Sequence, residues 1–277
     1  MDSPLVSVAD LSSLLAGDGA PLLLDVRWSL TGPPGIDSYR AGHLPGAVFV
    51  DLDQDLAGPP GTTGRHPLPE PEQATEALRR LGVRTGGSVV VYDDGDASVA
   101  ARAWWLLRWA GHDDVRVLDG GYAAWLAAGL PVAAGDPRAV TPGDVVVRPG
   151  GMRVADADEA AAVARAGVLL DVRAPARFRG ETEPVDPVAG HVPGARNAPL
   201  AGNLGPDGRF LDPEDLAARF AALGVGPGVD VAAYCGSGVA AAQTVLALEM
   251  AGLPGALFVG SWSHWVADPA RPVATGP

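Results

Sequence analysis

The 277-residue chain repeats itself once, and this limits what it can fold into more than any other feature. Leu23-Leu24-Asp25-Val26-Arg27 returns as Leu169-Leu170-Asp171-Val172-Arg173, and Gly42-His43-Leu44-Pro45-Gly46-Ala47 returns as Gly190-His191-Val192-Pro193-Gly194-Ala195, at offsets of 146 and 148 residues. Further on, Leu81-Gly82-Val83 matches Leu223-Gly224-Val225, Tyr92 matches Tyr234, and Gly120 and Trp125 match Gly260 and Trp265, at offsets of 142, 142, 140 and 140. Landmarks in fixed order at slowly drifting offsets describe two copies of one domain with loops of different length, not a short-period solenoid. The chain length agrees, being long for one core and comfortable for two ordinary domains. Gly135, Pro137, Pro142, Gly143, Pro149 and Gly150 predict a linker over 136–150, between a first copy at 1–135 and a second at 151–277.

Within each copy, short β-branched runs alternate with helical patterns. Leu22 to Val26, Ser88 to Tyr92 and Val115 to Leu118 read as strands, and Glu72 to Leu81, Ser98 to Ala110 and Tyr122 to Ala128 as helices. The second copy gives strands at Val168 to Val172, Val231 to Tyr234 and Ala256 to Val259, with helices at Glu214 to Leu223, Val239 to Ala251 and Ser263 to Val266. Such alternation predicts an α/β fold in which each copy is a mostly parallel sheet covered by helices on both faces. Binding crevices of such sheets form at the carboxyl ends of the strands.

The only cysteine, Cys235, stands directly after one of these strands, in Tyr234-Cys235-Gly236-Ser237-Gly238-Val239-Ala240-Ala241. A lone cysteine is commonly a small buried hydrophobe. A merely packed one needs no glycines beside it, whereas a thiol at a glycine-rich strand-to-helix turn faces free backbone N–H groups and the positive end of a helix dipole. Both favour the thiolate, the nucleophilic form. One cysteine and five scattered histidines give no metal-ligand spacing, and no cofactor is expected. A net charge of −13, with every one of the 20 basic residues an arginine, argues against a nucleic-acid partner. No apolar run reaches the ~18 residues of a membrane span. The absence of a signal-like start and the single unpaired cysteine predict a soluble, cytoplasmic protein.

The two DVR strands, the two GHxPGA segments and the Cys-Gly-Ser-Gly-Val loop, in register twice, resemble the tandem-domain rhodanese-type sulfurtransferases over nearly the whole chain. In that family a cysteine-less first domain accompanies a catalytic second one. The resemblance implies that Cys235 takes a sulfane sulfur from a small anionic donor as a persulfide and passes it to a thiol, such as thioredoxin or a small thiol, or to cyanide. The loop sequence is similar to the 3-mercaptopyruvate branch; the thiosulfate branch usually carries basic residues where this chain has Gly236 and Ser237. Mercaptopyruvate would leave as an enolate that needs a proton. The resemblance assigns that proton to Ser237, with His66 and Asp53 behind it as a relay. It also gives Arg177 the donor's carboxylate or sulfonate end, with Arg179 beside it if the segment is extended, and the N–H groups of Gly236, Gly238, Val239 and Ala240 the persulfide. His43 and His191 recur in both copies, including the one without a cysteine, so they are expected to fix the GHxPGA turn.

Three positions depart from the mercaptopyruvate pattern. Glu183-Pro184-Val185 stands where that branch has Glu-Pro-Arg with a second carboxylate-holding arginine, Ala240 replaces a usual threonine, and the first copy's loop reads Asp93-Asp94-Gly95-Asp96. Those carboxylates would repel an anionic donor, so the first loop is not a second active site. Thiosulfate as main donor stays open, as does a non-catalytic module that binds a partner or senses oxidants through Cys235. A cysteine phosphatase is excluded because the arginine it needs six residues after the thiol is Ala241.

Overall fold

The computed structural model describes residues 3–277, which divide into two compact units. The first holds residues up to Ala57 together with Pro69–Met152 and Pro206–Arg209; the second holds Gly58–Leu68, Arg153–Gly205 and Phe210–Pro277. The eleven-residue segment Gly58–Leu68, from the first half of the sequence, therefore belongs structurally to the second unit. Residues of the 136–150 stretch lie along the first unit. Gly143 N–H donates to Arg79 O at 2.8 Å, Val147 N–H to Thr75 Oγ1 at 3.1 Å, and Arg148 N–H to Ala110 O at 2.9 Å.

The first unit runs β1 (Leu5–Val6), α1 (Val8–Ala16), β2 (Leu22–Asp25), α2 (Gly35–Ala41), β3 (Val48–Phe49), α3 (Leu52–Asp55), α4 (Pro71–Arg80), β4 (Val89–Tyr92), α5 (Ser98–Trp109), β5 (Val115–Leu118) and α6 (Gly121–Ala127). The second repeats it as β6 (Val154–Ala155), α7 (Ala157–Ala166), β7 (Val168–Asp171), α8 (Pro175–Phe178), β8 (Arg196–Asn197), a 3₁₀ turn at Leu200–Asn203, α9 (Pro213–Ala222), β9 (Val231–Tyr234), α10 (Ala240–Met250), β10 (Ala256–Phe258) and α11 (Ser261–Trp265). Each unit has a five-stranded sheet, in orders β1-β5-β4-β2-β3 and β6-β10-β9-β7-β8, with every pair parallel. The register repeats too: Asp25 pairs with Tyr92 as Asp171 pairs with Tyr234. The central strands are buried along their whole length, as the uninterrupted apolar runs Val89-Val90-Val91 and Val231-Ala232-Ala233 require of a sheet covered on both faces.

The duplicated landmarks close one buried polar network in each unit. Arg27 donates to the Asp25 carboxylate from Nε (3.0 Å) and Nη2 (2.7 Å), and Nη2 also reaches Gly42 O at 2.6 Å. Arg173 does the same with Asp171 (3.0 and 2.6 Å) and Gly190 O (2.6 Å). Tyr92 Oη donates to Asp25 and accepts from Leu44 N–H, and Tyr234 Oη accepts from Val192 N–H. Burial first, and the neighbouring aspartate next, push both phenols far above their ordinary value, so both stay neutral. A buried ion pair of this kind is tolerable only because each remaining donor and acceptor is satisfied. His43 Nδ1 lies 2.8 Å from Tyr39 O with the two rings stacked, and His191 Nδ1 lies 2.7 Å from Phe178 O over the Phe178 ring. Both histidines hold the turn after the short helix, as expected.

Candidate active site

Cys235 follows β9 at the carboxyl edge of the second sheet and is buried, 4% exposed. The loop turns back through Gly238, whose N–H donates to Cys235 Sγ at 3.1 Å. Gly238 has φ +80°, and a Cβ there would lie 2.1 Å from Val259 O. Glycine is thus required twice at this position, for the left-handed backbone and for the close approach of β10's exit. Gly238→Ala should cost more than about 2 kcal/mol and displace the loop. Urea unfolding together with the transfer rate will show this as a stability loss accompanied by an activity loss; a stable, active alanine variant would mean the loop is not held as described.

The turn after β10 supports the loop from below. Trp262 N–H donates to Cys235 O at 3.0 Å and Ser263 N–H to Gly236 O at 2.9 Å. Ser261 has φ +53°, a left-handed conformation rare for serine, and its Oγ accepts from Cys235 N–H at 3.1 Å, donates to Phe258 O at 2.8 Å and stands 4.0 Å from Cys235 Sγ. The first unit has Gly121, at φ +55°, in the corresponding place. The left-handed serine thus stands in the copy that carries the thiol, where its Oγ holds the Cys235 N–H.

The first unit shows what the same loop does without a cysteine. Asp93 follows β4 as Cys235 follows β9, and its buried carboxylate accepts from the N–H groups of Gly95 (3.1 Å), Ala97 (3.2 Å), Val99 (3.1 Å) and Ala100 (3.0 Å). A strand-to-helix loop of this fold therefore cradles an anion, and in the first unit an internal carboxylate fills the cradle.

Ser237 and His66 come together in the second unit: His66 Nδ1 lies 2.8 Å from Ser237 Oγ, with both residues buried. His66 belongs to the Gly58–Leu68 segment, which is anchored where Ser263 Oγ accepts from Arg65 N–H at 3.1 Å. Gly64, at φ +116°, lets the segment touch the turn, since a Cβ there would lie 2.8 Å from Gly260 O. Asp53, the third residue of the expected relay, lies in α3 of the first unit, and its Oδ2 accepts from the Trp28 indole N–H at 3.2 Å.

Arg177, at the last turn of α8, is tied to Glu183 from Nε (3.1 Å) and Nη2 (2.5 Å) and to Asp186 from Nη2 (3.3 Å). Burial works to raise the Glu183 carboxyl, but the Arg177 hydrogen bonds and the N–H groups of Asp186 and Val185 outweigh it and hold the group below the ordinary carboxylate range. Arg179 does not stand beside Arg177. The segment is helical and not extended, so residues two apart diverge around the axis, and Arg179 instead pairs with Glu181 at 2.6 and 2.9 Å in solvent. Sequence reasoning passed over Arg65, Ser261 and Ser263. Arg65 adjoins His66 and could have been singled out with it; the two serines carry no local signal, because only the turn's packing aims them at the loop.

Profiles of known families decide the class. The model of the rhodanese-like domain matches residues 7–128 and again 155–268. The chain belongs to the rhodanese family of sulfurtransferases. It is 51% identical over 263 residues, 92% of each chain, to a Pseudomonas aeruginosa protein named "Probable 3-mercaptopyruvate sulfurtransferase". It is 45% identical over 281 residues, 98% of this chain and 97% of the relative, to a Mycobacterium tuberculosis protein named "Putative thiosulfate sulfurtransferase SseB". Among solved structures, SseA from Escherichia coli, described with the 3-mercaptopyruvate sulfotransferases, superposes with a TM-score of 0.82 at 30% identity, over 94% of this chain and 99% of that one. Among the described residues, no helix of this rhodanese is long and apolar enough to cross a membrane.

Proposed function

We propose that this rhodanese moves sulfur from 3-mercaptopyruvate through a persulfide on Cys235 to a thiol or cyanide acceptor. The Cys235 thiolate attacks the donor's sulfur; a new S–S bond forms while the donor's C–S bond breaks, its electron pair passing to carbon as pyruvate enolate. The enolate takes one proton, from the Ser237 hydroxyl backed by His66, and departs as pyruvate. An acceptor thiolate or cyanide then attacks the outer sulfur and returns Cys235 to thiolate. The observation that carries this reading is the 2.8 Å contact of His66 Nδ1 with Ser237 Oγ, two residues from the thiol. Proton delivery to carbon is a need of mercaptopyruvate that thiosulfate lacks, since sulfite leaves without one. Asp53 joins the relay on the family resemblance, and Arg177 receives the donor's oxyanion end. Residues 1–135 form the copy that lacks the catalytic cysteine, although its Gly58–Leu68 segment brings His66 to the second unit, and residues 151–277 form the catalytic copy, with 136–150 between them. The cytoplasm is the compartment that suits a single free thiol.

Thiosulfate is the second reading, favoured by Val185 in place of the second arginine and by the name of the Mycobacterium tuberculosis relative. Thiocyanate production from cyanide by the purified protein separates the two. The account expects kcat/KM for 3-mercaptopyruvate at least about tenfold above that for thiosulfate, a transition-state difference of about 1.4 kcal/mol. The reverse order would assign the loop to thiosulfate.

A further inference from the structure

A cavity of about 650 Å³ opens within the first unit, between the edge strand β3, helices α3 and α4, and residues 137–142. The chain is anchored on either side of that stretch: Gly135 N–H donates to Arg40 O at 2.9 Å and Gly143 N–H to Arg79 O at 2.8 Å. Between the anchors, Pro137 and Pro142 have no N–H to give, and among the described residues no backbone hydrogen bond joins 137–142 to β3. The stretch is a strap held off the edge of the sheet. Val50 N–H donates to Asp25 O of β2 at 2.9 Å, and successive N–H groups of a strand point to opposite sides, so the N–H and C=O of Phe49 face away from β2, toward the open edge. Folds ordinarily cover such an edge directly; here the cover stands off by the width of the cavity. Val48, Leu81 and Val140 give the cavity an apolar lining, and charged groups surround it. Arg80 is taken by Asp55, and Arg79 Nε by Val145 O at 2.8 Å. Arg138 is exposed and, like Glu76, makes no hydrogen bond or ion pair among the described residues. Arg79, Arg80 and Arg138 against Asp55 and Glu76 leave a local positive excess in a chain of net charge −13.

We propose that this cavity is a binding site for a small amphipathic carboxylate of the acylated amino-acid or short-peptide class, with its carboxylate on Arg138 and the outer nitrogens of Arg79, its amide on the open N–H and C=O of Phe49, and its apolar side chain against Val48, Leu81 and Val140. Each part of the ligand answers one observation. A guanidinium without a partner suits a planar oxyanion, which it holds through two parallel N–H bonds. A peptide-like amide supplies the one acceptor and one donor that a single open strand residue lacks. The volume falls in the range of ligand sites, roughly 300–1,000 Å³. Glu76 lines the same space and disfavours a second negative charge, so the ligand is a monoanion. The site gives the copy that lacks the thiol a binding role of its own, separate from sulfur transfer.

Calorimetric titration of the full chain with N-acetyl-L-phenylalanine tests this, beside two analogues: N-acetyl-L-phenylalaninamide, which lacks the charge, and 3-phenylpropanoate, which lacks the amide. The acid should bind at a single site, at least about 10-fold more tightly than either analogue. Arg138→Gln should weaken the acid about 10-fold and leave the neutral amide unchanged. That variant should fold as the parent does, because Arg138 is exposed and holds no partner among the described residues. Ala139→Trp, which fills the cavity from the exposed strap, should abolish binding of all three compounds. Arg153→Gln, at an exposed arginine of the second unit, should change none of the affinities. Cys235 is the only cysteine, so its alkylation by iodoacetamide at saturating N-acetyl-L-phenylalanine reports whether the compound sits at the thiol instead; an unchanged rate is expected. No binding at millimolar concentration, equal affinity for the acid and either analogue, binding retained in a folded Ala139→Trp, or alkylation slowed in step with occupancy would each overturn the proposal.

Discussion

Cys235→Ser will abolish sulfur transfer from every donor, by at least about 1000-fold in kcat. The reason is chemical. A serine hydroxyl is not ionised near neutral pH and cannot carry a sulfane sulfur through an S–S bond, so no partial reaction remains for the surrounding loop to assist. The variant should fold normally. The N–H of Gly238 that now donates to Sγ at 3.1 Å finds an oxygen acceptor instead, and the loop's other supports, Trp262 N–H to the backbone carbonyl of residue 235 and Ser263 N–H to Gly236 O, do not involve the side chain. Thermal unfolding within a few degrees of the parent, beside a rate indistinguishable from background, is the expected pair of observations. Measurable turnover in the serine variant would remove Cys235 from the mechanism.

Ser237→Ala will separate the two donors. With 3-mercaptopyruvate the loss should reach about 100-fold in kcat, in the range of one general acid. With thiosulfate it should stay within a few-fold, since sulfite needs no proton to leave. The buried pair of Ser237 Oγ and His66 Nδ1 at 2.8 Å gives the hydroxyl a partner through which its proton can be replaced. His66→Gln should show the same donor selectivity with a smaller loss, because the hydroxyl remains. Equal losses with both donors would mean that Ser237 shapes the loop and moves no proton.

Much of this molecule could be read from its residues, and the exceptions have physical causes. The strands at Val115–Leu118 and Val231–Tyr234 fall where periodicity places them, and the helix at Ser98–Trp109 ends one residue early. The edge strands Leu5–Val6, Val48–Phe49, Val154–Ala155 and Arg196–Asn197 are two residues each, too short for any alternation to register. Helices α1 and α7 did carry a signal that went unread. Ser7 accepts from Asp10 N–H, and Asp156 with Glu159 forms a capping box, a spacing visible in the sequence. The site divides in the same way. The loop after Tyr234 announces its thiol locally. The meeting of His66 with Ser237 spans 171 residues and came only through resemblance. Arg65 escaped both routes, because its place beside Gly236 depends on the segment Gly58–Leu68 joining the second unit, which no local pattern encodes.

The central claim is that sulfur resides on Cys235 between donor and acceptor, and intact-protein mass spectrometry after mixing with one equivalent of 3-mercaptopyruvate, with no acceptor present, tests it most directly. The account predicts a gain of one sulfur atom, mapped to the Cys235 peptide, matched by one equivalent of pyruvate and reversed by cyanide with release of thiocyanate. Pyruvate formed without any mass gain, or a gain that persists in Cys235→Ser, would contradict it.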